Sequence, residues 1–234
     1  METISRDIRI EDRLVVTARP AGAGRWPGVV MIHEIFGIDD VLRVQAERLA
    51  SAGYVVYAPD LLGAGLKVRC IKALFGSLTA RTGRPFELIE TTRQQVLADP
   101  NTTDKVGVIG FCMGGGFALV LAARGFDASS VNYGMVPEEL DEVLEGACPI
   151  VASYGARDAM LAKEVPRLAG ALAKHQIVND VKLYPTAGHS FLNHAPNGPR
   201  PLRPLMKIAH AGPDPVAAAN AWRRIESFFA AHLG

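Results

Sequence analysis

An α/β fold, with a mostly parallel central sheet flanked by helices on both faces, is what this 234-residue sequence predicts. Two patterns carry that expectation. Short β-branched runs alternate with stretches of helical period, the arrangement of βαβ units and not of a β-sandwich. Val29-Val-Met-Ile32 is apolar at four consecutive positions, as a strand covered on both faces must be. The length accommodates one such domain over residues 1–234.

The elements follow in chain order. After the strand at Val29–Ile32, Asp39–Ala52 reads as a helix, with Leu42, Ala46, Leu49 and Ala50 on one face and Gly53 closing it. Tyr54–Ala58 is the next strand, ended by Pro59, and Glu87–Ala98 a helix stopped by Asp99-Pro100-Asn101. A strand over Val106–Gly110 runs through Phe111-Cys-Met-Gly-Gly-Gly into a helix over Phe117–Ala123. Strands are expected at Val131–Tyr133, Ile150–Tyr154 and Val181–Tyr184, with a helix over Lys163–Ala173 between the last two. A final helix, Val216–His232, sets Trp222, Ile225 and Phe229 on one face. Residues 61–86, weakly periodic, and 190–215, with six prolines, read as long loops placed to act as lids or as plain surface excursions.

Composition narrows the function. The 25 Lys+Arg nearly cancel 24 Asp+Glu, which removes the electrostatic case for a nucleic-acid or anionic-membrane partner. No apolar run approaches the ~18 residues of a membrane span, and the charged N-terminal stretch lacks the apolar core of a signal peptide. Three cysteines without a C-x-x-C pair suggest neither a disulfide framework nor a zinc site, so a reducing cytoplasm is the expected compartment.

Gly110-Phe-Cys-Met-Gly114 has the form G-x-C-x-G, the cysteine version of a nucleophile elbow. Small residues two before and two after the nucleophile let backbone pack beneath a strained strand-to-helix turn. The same turn sets the sulfur at a helix N-terminus, which favours thiolate. By itself the pentapeptide reads equally as a small buried cysteine beside packing glycines. Asp158 falls just past one predicted strand and His189 just past the next. The order nucleophile, acid, histidine is that of the α/β-hydrolase fold, and loops at strand C-terminal ends bring the three together above the sheet. His33-Glu34 opens like H-E-x-x-H, but Gly37 stands at the fourth position and the zinc motif fails. Glu34 instead lies in the loop that supplies an oxyanion N–H in this fold. A carboxylate there can take the thiol proton or hold the resting thiol neutral, or simply pair with a surface base.

These residues resemble the dienelactone hydrolase family of α/β hydrolases. The similarity lies in Val30–Gly37 (V-M-I-H-E-I-F-G), Gly53–Leu61, Val106–Gly115 (V-G-V-I-G-F-C-M-G-G), Tyr154–Asp158 and Ala187–Phe191, spread over nearly the whole chain. The resemblance implies Cys112 as nucleophile, Asp158 as acid, His189 as the histidine and Glu34 as a glutamate linked to thiol activation. It implies the Ile35 and Met113 N–H groups as oxyanion donors, a small ester or lactone as substrate, and no metal or organic cofactor. Family members that act on dienelactone grip its carboxylate with arginines, one of them four residues after the histidine. Here that place holds Asn193, so substrate contacts are expected from Asn193, from Arg200 or Arg203 in the Pro-rich loop, and from Arg81 (or Arg69 or Arg84) in the earlier segment. Two competing classes share the residues: a ligand-binding protein on a hydrolase fold, and a thiol redox sensor using Cys112.

Overall fold

The computed structural model describes residues 1–63, 65–196, 198, 201 and 203–234. Among them, eight strands form one sheet: β1 (Thr3–Ile10), β2 (Arg13–Pro20), β3 (Trp26–Ile32), β4 (Val55–Pro59), β5 (Thr102–Phe111), β6 (Ala128–Asn132), β7 (Ile150–Gly155) and β8 (Asn179–Tyr184). Their spatial order is β1-β2-β4-β3-β5-β6-β7-β8. From β4 onward every pairing is parallel, while β1–β2 and β2–β4 are antiparallel.

The apolar runs explain the two-sided burial. Along β3, Val30 and Ile32 enter one core cluster while Val29 and Met31 enter the other, and β7 divides the same way at Ile150, Ala152 and Val151. Successive side chains of a strand point to opposite faces, so an unbroken apolar run fills two cores at once. One face is covered by α2 (Lys67–Ala80), α3 (Arg84–Ala98), α4 (Met113–Leu121), α5 (Leu140–Leu144) and α7 (Val165–Lys174). The other lies under α1 (Asp40–Ser51) and α9 (Pro215–Leu233), the latter burying Trp222, Ile225 and Phe229 as its sequence pattern predicts. Two shorter helices, α6 (Ala159–Ala162) and α8 (Arg203–Ile208), complete the described elements.

Three expectations need correction. The N-terminal hairpin was not anticipated, although Ile4, Ile8 and Ile10 keep the period of two that a half-buried strand shows. Residues 61–86 are not a long loop, because α2 runs through them with Leu74 and Leu78 buried one turn apart. Its signals are weak at the sequence level: Leu66 caps it without a side-chain hydrogen bond, and Gly76 interrupts its interior. The helix after the elbow begins at Met113, four residues earlier than its apolar run, since Cys112 already occupies the N-cap.

Segment 190–215 carries α8, and its ends are closed. Gly212 N–H donates to the His189 carbonyl at 2.8 Å and Asp214 N–H to that of Phe191 at 3.2 Å. Gly198 lies against Phe36, where an added Cβ would stand 2.6 Å from the ring. The segment therefore crosses over the β3–α1 loop that carries Glu34 and Ile35.

If α2 is a packed helix, Leu74→Ala costs about 2–5 kcal/mol in urea denaturation. Val68→Ala, at a position 81% exposed, stays within about 0.5 kcal/mol of the parent.

Candidate active site

Cys112 is the last residue before α4 and has φ 56°, ψ −119°, in the left-handed half of backbone space that a side chain occupies at a cost. What holds it there is backbone packed on backbone. A Cβ on Gly110 would run into the Gly114 carbonyl, and one on Gly114 into the Ile32 and His33 carbonyls. A Cβ on Gly115 would stand 2.6 Å from the Asn132 oxygen. Cys112 N–H donates to that same Asn132 carbonyl at 3.1 Å, while the Cys112 carbonyl accepts from Gly115 and Gly116 N–H. The glycines read in the sequence as elbow residues thus seat the N-terminus of α4 between the ends of β3 and β6.

Asp158 follows β7 and caps α6, and His189 follows β8. Thirty-one residues apart in sequence, they meet with His189 Nδ1 2.6 Å from Asp158 Oδ2. Burial lowers the pKa of this histidine, but the Asp158 hydrogen bond and the nearby Cys112 and Glu34 outweigh it and push it up to about 10. Burial acts against the Asp158 carboxylate as well, and the His189 contact overrides it, leaving that pKa below the ordinary 3.8. Cys112, His189 and Asp158 therefore come together as their order predicts.

Glu34 is buried at 7% exposure and Asn193 at 2%. Asn193 Nδ2 donates to Glu34 Oε1 at 3.3 Å, and Gln45 Nε2 of α1 donates to Asn193 Oδ1 at 3.0 Å. Asn193, expected among the substrate contacts, has its amide engaged in a buried chain that holds Glu34. Arg81 was expected among the same contacts. It ends α2, pairs with Glu142 at 2.9 Å, and its carbonyl accepts from Arg124, which lies beyond the C-terminal end of α4. The nine residues of α4 put roughly 13 Å of helix between that end and Cys112. Arg200 lies outside the described residues. Arg203 opens α8 within the 190–215 segment.

Ile35 and Met113 occupy the loop after β3 and the first position of α4. Among the described residues, neither N–H has a protein acceptor. Sequence reasoning missed Tyr133, taken only as the end of a strand. It sits one residue past β6 with φ 40°, fully buried, its ring 5.1 Å from that of His189. Burial first, then the charges of Glu34 and Cys112, hold its hydroxyl protonated well above the ordinary 10. The Glu34 side chain also engages that hydroxyl and raises its pKa further. The one sequence signal of Tyr133 is the Gly134 that follows, whose bare Cα lets β6 end against α4.

A mostly parallel sheet with a strained residue between its central strand and helix, and an acid and histidine on later loops, is the arrangement of an α/β hydrolase. The sequence model of the dienelactone hydrolase family matches residues 14–233, and the chain belongs to that family. It is 28% identical over 238 residues to a Saccharolobus solfataricus protein ascribed carboxymethylenebutenolidase activity, covering 86% of this chain and 87% of the relative. A carboxymethylenebutenolidase of Rhodococcus opacus is 28% identical over 226 residues, 90% of this chain and 83% of that one. Among solved structures, a dienelactone hydrolase-like promiscuous phosphotriesterase from metagenomic libraries superposes with a TM-score of 0.81 at 22% identity over 99% of both chains, which shows the shared fold. No helix among the described residues is long and apolar enough to cross a membrane.

The raised His189 pKa has a sign that can be followed. Folding favours its protonated form over an ordinary value of 6.5, so that stabilisation is complete below about pH 6.5 and is lost as pH rises to about 10. Nitrogen-detected NMR titration is expected to show the His189 ring losing its proton near the top of that window. Cys112→Ala and Asp158→Asn each bring the midpoint down toward 6.5; an unmoved midpoint in both rejects the assigned partners.

Proposed function

We propose that the chain hydrolyses a small ester or lactone through a Cys112–His189–Asp158 triad and a thioester intermediate. The observation that supports this best is the imidazole of His189, bound at Nδ1 by Asp158 at 2.6 Å and raised in pKa by the neighbouring Cys112. A histidine so placed favours the thiolate–imidazolium form, and the thiolate is the nucleophile.

The Cys112 thiolate attacks the substrate carbonyl, and the oxygen that gains the electron pair is received by the N–H groups of Ile35 and Met113. Collapse re-forms the carbonyl and expels the alkoxide, which takes its proton from His189 Nε2. In a lactone the alkoxide stays tethered to the acyl group, and in an open ester it departs. Neutral His189 then removes a proton from water as that water attacks the thioester, and the thiolate leaves with the imidazolium restored beside it. Asp158 fixes the tautomer throughout and offsets the positive charge. Glu34, held by Asn193, is a second base within the same buried group and serves thiol activation. Its tether to a neutral amide leaves the recognition of a substrate carboxylate to residues other than Asn193.

The test is hydrolysis of p-nitrophenyl acetate and of cis- and trans-dienelactone between pH 5 and 9. Cys112→Ala is expected to lower kcat by about 10³-fold or more on every substrate the parent turns over. Cys112→Ser recovers little, because an alcohol is far less acidic than a thiol beside the same histidine. Turnover by Cys112→Ala at the parental rate, or a serine variant as fast as the parent, rejects the thiolate mechanism.

A further inference from the structure

His33 is a buried histidine for which the reaction above has no use. It follows the last residue of β3 and is fully enclosed. Both ring nitrogens are engaged: Leu61 N–H donates to Nε2 at 2.9 Å, and Nδ1 lies 2.6 Å from the Glu34 carbonyl oxygen. Because Nε2 accepts, the ring proton sits on Nδ1 and is donated to Glu34 O. Burial keeps the ring neutral by lowering its pKa, and Asp60, whose Oδ1 is 3.7 Å from Nε2 and accepts from Leu62 N–H at 3.0 Å, does not reverse this.

The carbonyl that His33 grips belongs to the peptide joining Glu34 to Ile35. In a trans peptide the C=O and N–H point in opposite directions, and no peptide bond of the described residues is cis. With its oxygen drawn inward to His33, that peptide turns the Ile35 N–H away from the core. Gly37 N–H donates to the same oxygen at 3.1 Å. Both lone pairs of the carbonyl are thus occupied, which fixes the peptide plane. Two donors on the oxygen also polarise the amide and make its N–H a stronger donor.

We infer that His33 is a positioning residue for the oxyanion hole, aiming and polarising the Ile35 N–H through the Glu34 carbonyl while its other nitrogen ties the loop to Leu61. The inference deepens the proposed function and rests on its assignment of Cys112 as nucleophile and Ile35 as a donor. An aim of this kind matters only when charge develops on a carbonyl oxygen. Acylation by an ester requires it, whereas alkylation of the thiolate by iodoacetamide, a displacement at saturated carbon, does not.

Three variants separate the two hydrogen bonds. His33→Asn places an amide nitrogen where Nδ1 stands and retains the donor to Glu34 O. His33→Gln places an amide oxygen where Nε2 stands and retains only the acceptor for Leu61. His33→Leu retains neither. The p-nitrophenolate burst from p-nitrophenyl acetate gives the acylation rate, and iodoacetamide uptake on the same samples reports the thiolate and an intact site. The expected result is a fall of about 10- to 100-fold in the acylation rate at saturating ester for the Gln and Leu variants, with KM little changed. His33→Asn restores most of it, and all three alkylate at the parental rate. Acylation by His33→Gln as fast as the parent overturns the inference, and so does a loss of acylation matched by an equal loss of alkylation. A Leu variant that fails to fold leaves the Asn–Gln contrast to decide. An undiminished burst from Cys112→Ala rejects the nucleophile assignment itself, and this inference with it, so the two failures are told apart.

Discussion

The site depends on one close approach of backbones. Gly114 and Gly115 let the first turn of α4 press against the carbonyls of Ile32, His33 and Asn132, and nothing larger than hydrogen fits there. That contact forces Cys112 into its strained conformation at the end of β5, and the strain is held by the hydrogen bonds to Asn132, Gly115 and Gly116. Because β3 and β6 are the strands on either side of β5, the residues just beyond them become the neighbours of Cys112. The loop of Glu34 and Ile35 thus flanks it on one side and Tyr133 on the other. Asp158 and His189 arrive from the ends of β7 and β8, further along the same edge.

Two histidines, His33 fully buried and His189 partly so, show how the surroundings assign a chemistry to one residue type. His189 faces Asp158 and the acidic groups of Cys112 and Glu34, and its protonated form is favoured in spite of burial. His33 faces one backbone donor and one backbone acceptor, and burial prevails, leaving it neutral. A charged His33 would lose the acceptor that Leu61 N–H needs, whereas a charged His189 keeps the Asp158 carboxylate as its partner. The two rings lie within one site and do opposite work for this reason.

Glu34 illustrates how a carboxyl group is kept in a buried position. Its tether is an uncharged amide, itself held by Gln45 from α1, and the 190–215 segment passes over the same loop at Phe36. An amide donor holds the carboxylate by direction with less electrostatic pull than a guanidinium would exert. The residue four positions past His189 therefore orients Glu34 inside the protein, whereas a residue free to face the cleft would meet the ligand.

Much of the fold was legible in the chain. Val29–Ile32 and Val106–Gly110 are apolar throughout because both their faces are covered, and the face of α9 repeats at helical spacing for the same reason. The nucleophile candidate was legible because its turn admits only small neighbours, and Asp158 and His189 because each follows a recognisable strand. The N-terminal hairpin and α2 were harder, since half-exposed strands and a helix without a capping side chain leave weak local signals. Residue order along the chain thus determined which groups end at which strand, a local property of pattern and turn chemistry. Tertiary structure alone decided that Asn193 binds Glu34, that Arg81 lies beyond the far end of α4, and that Tyr133 and His33 join the site. Apart from the neighbouring His33–Glu34 pair, those contacts span up to 159 residues and are set by where strands and helices stack, which the local pattern along the chain encodes weakly or not at all.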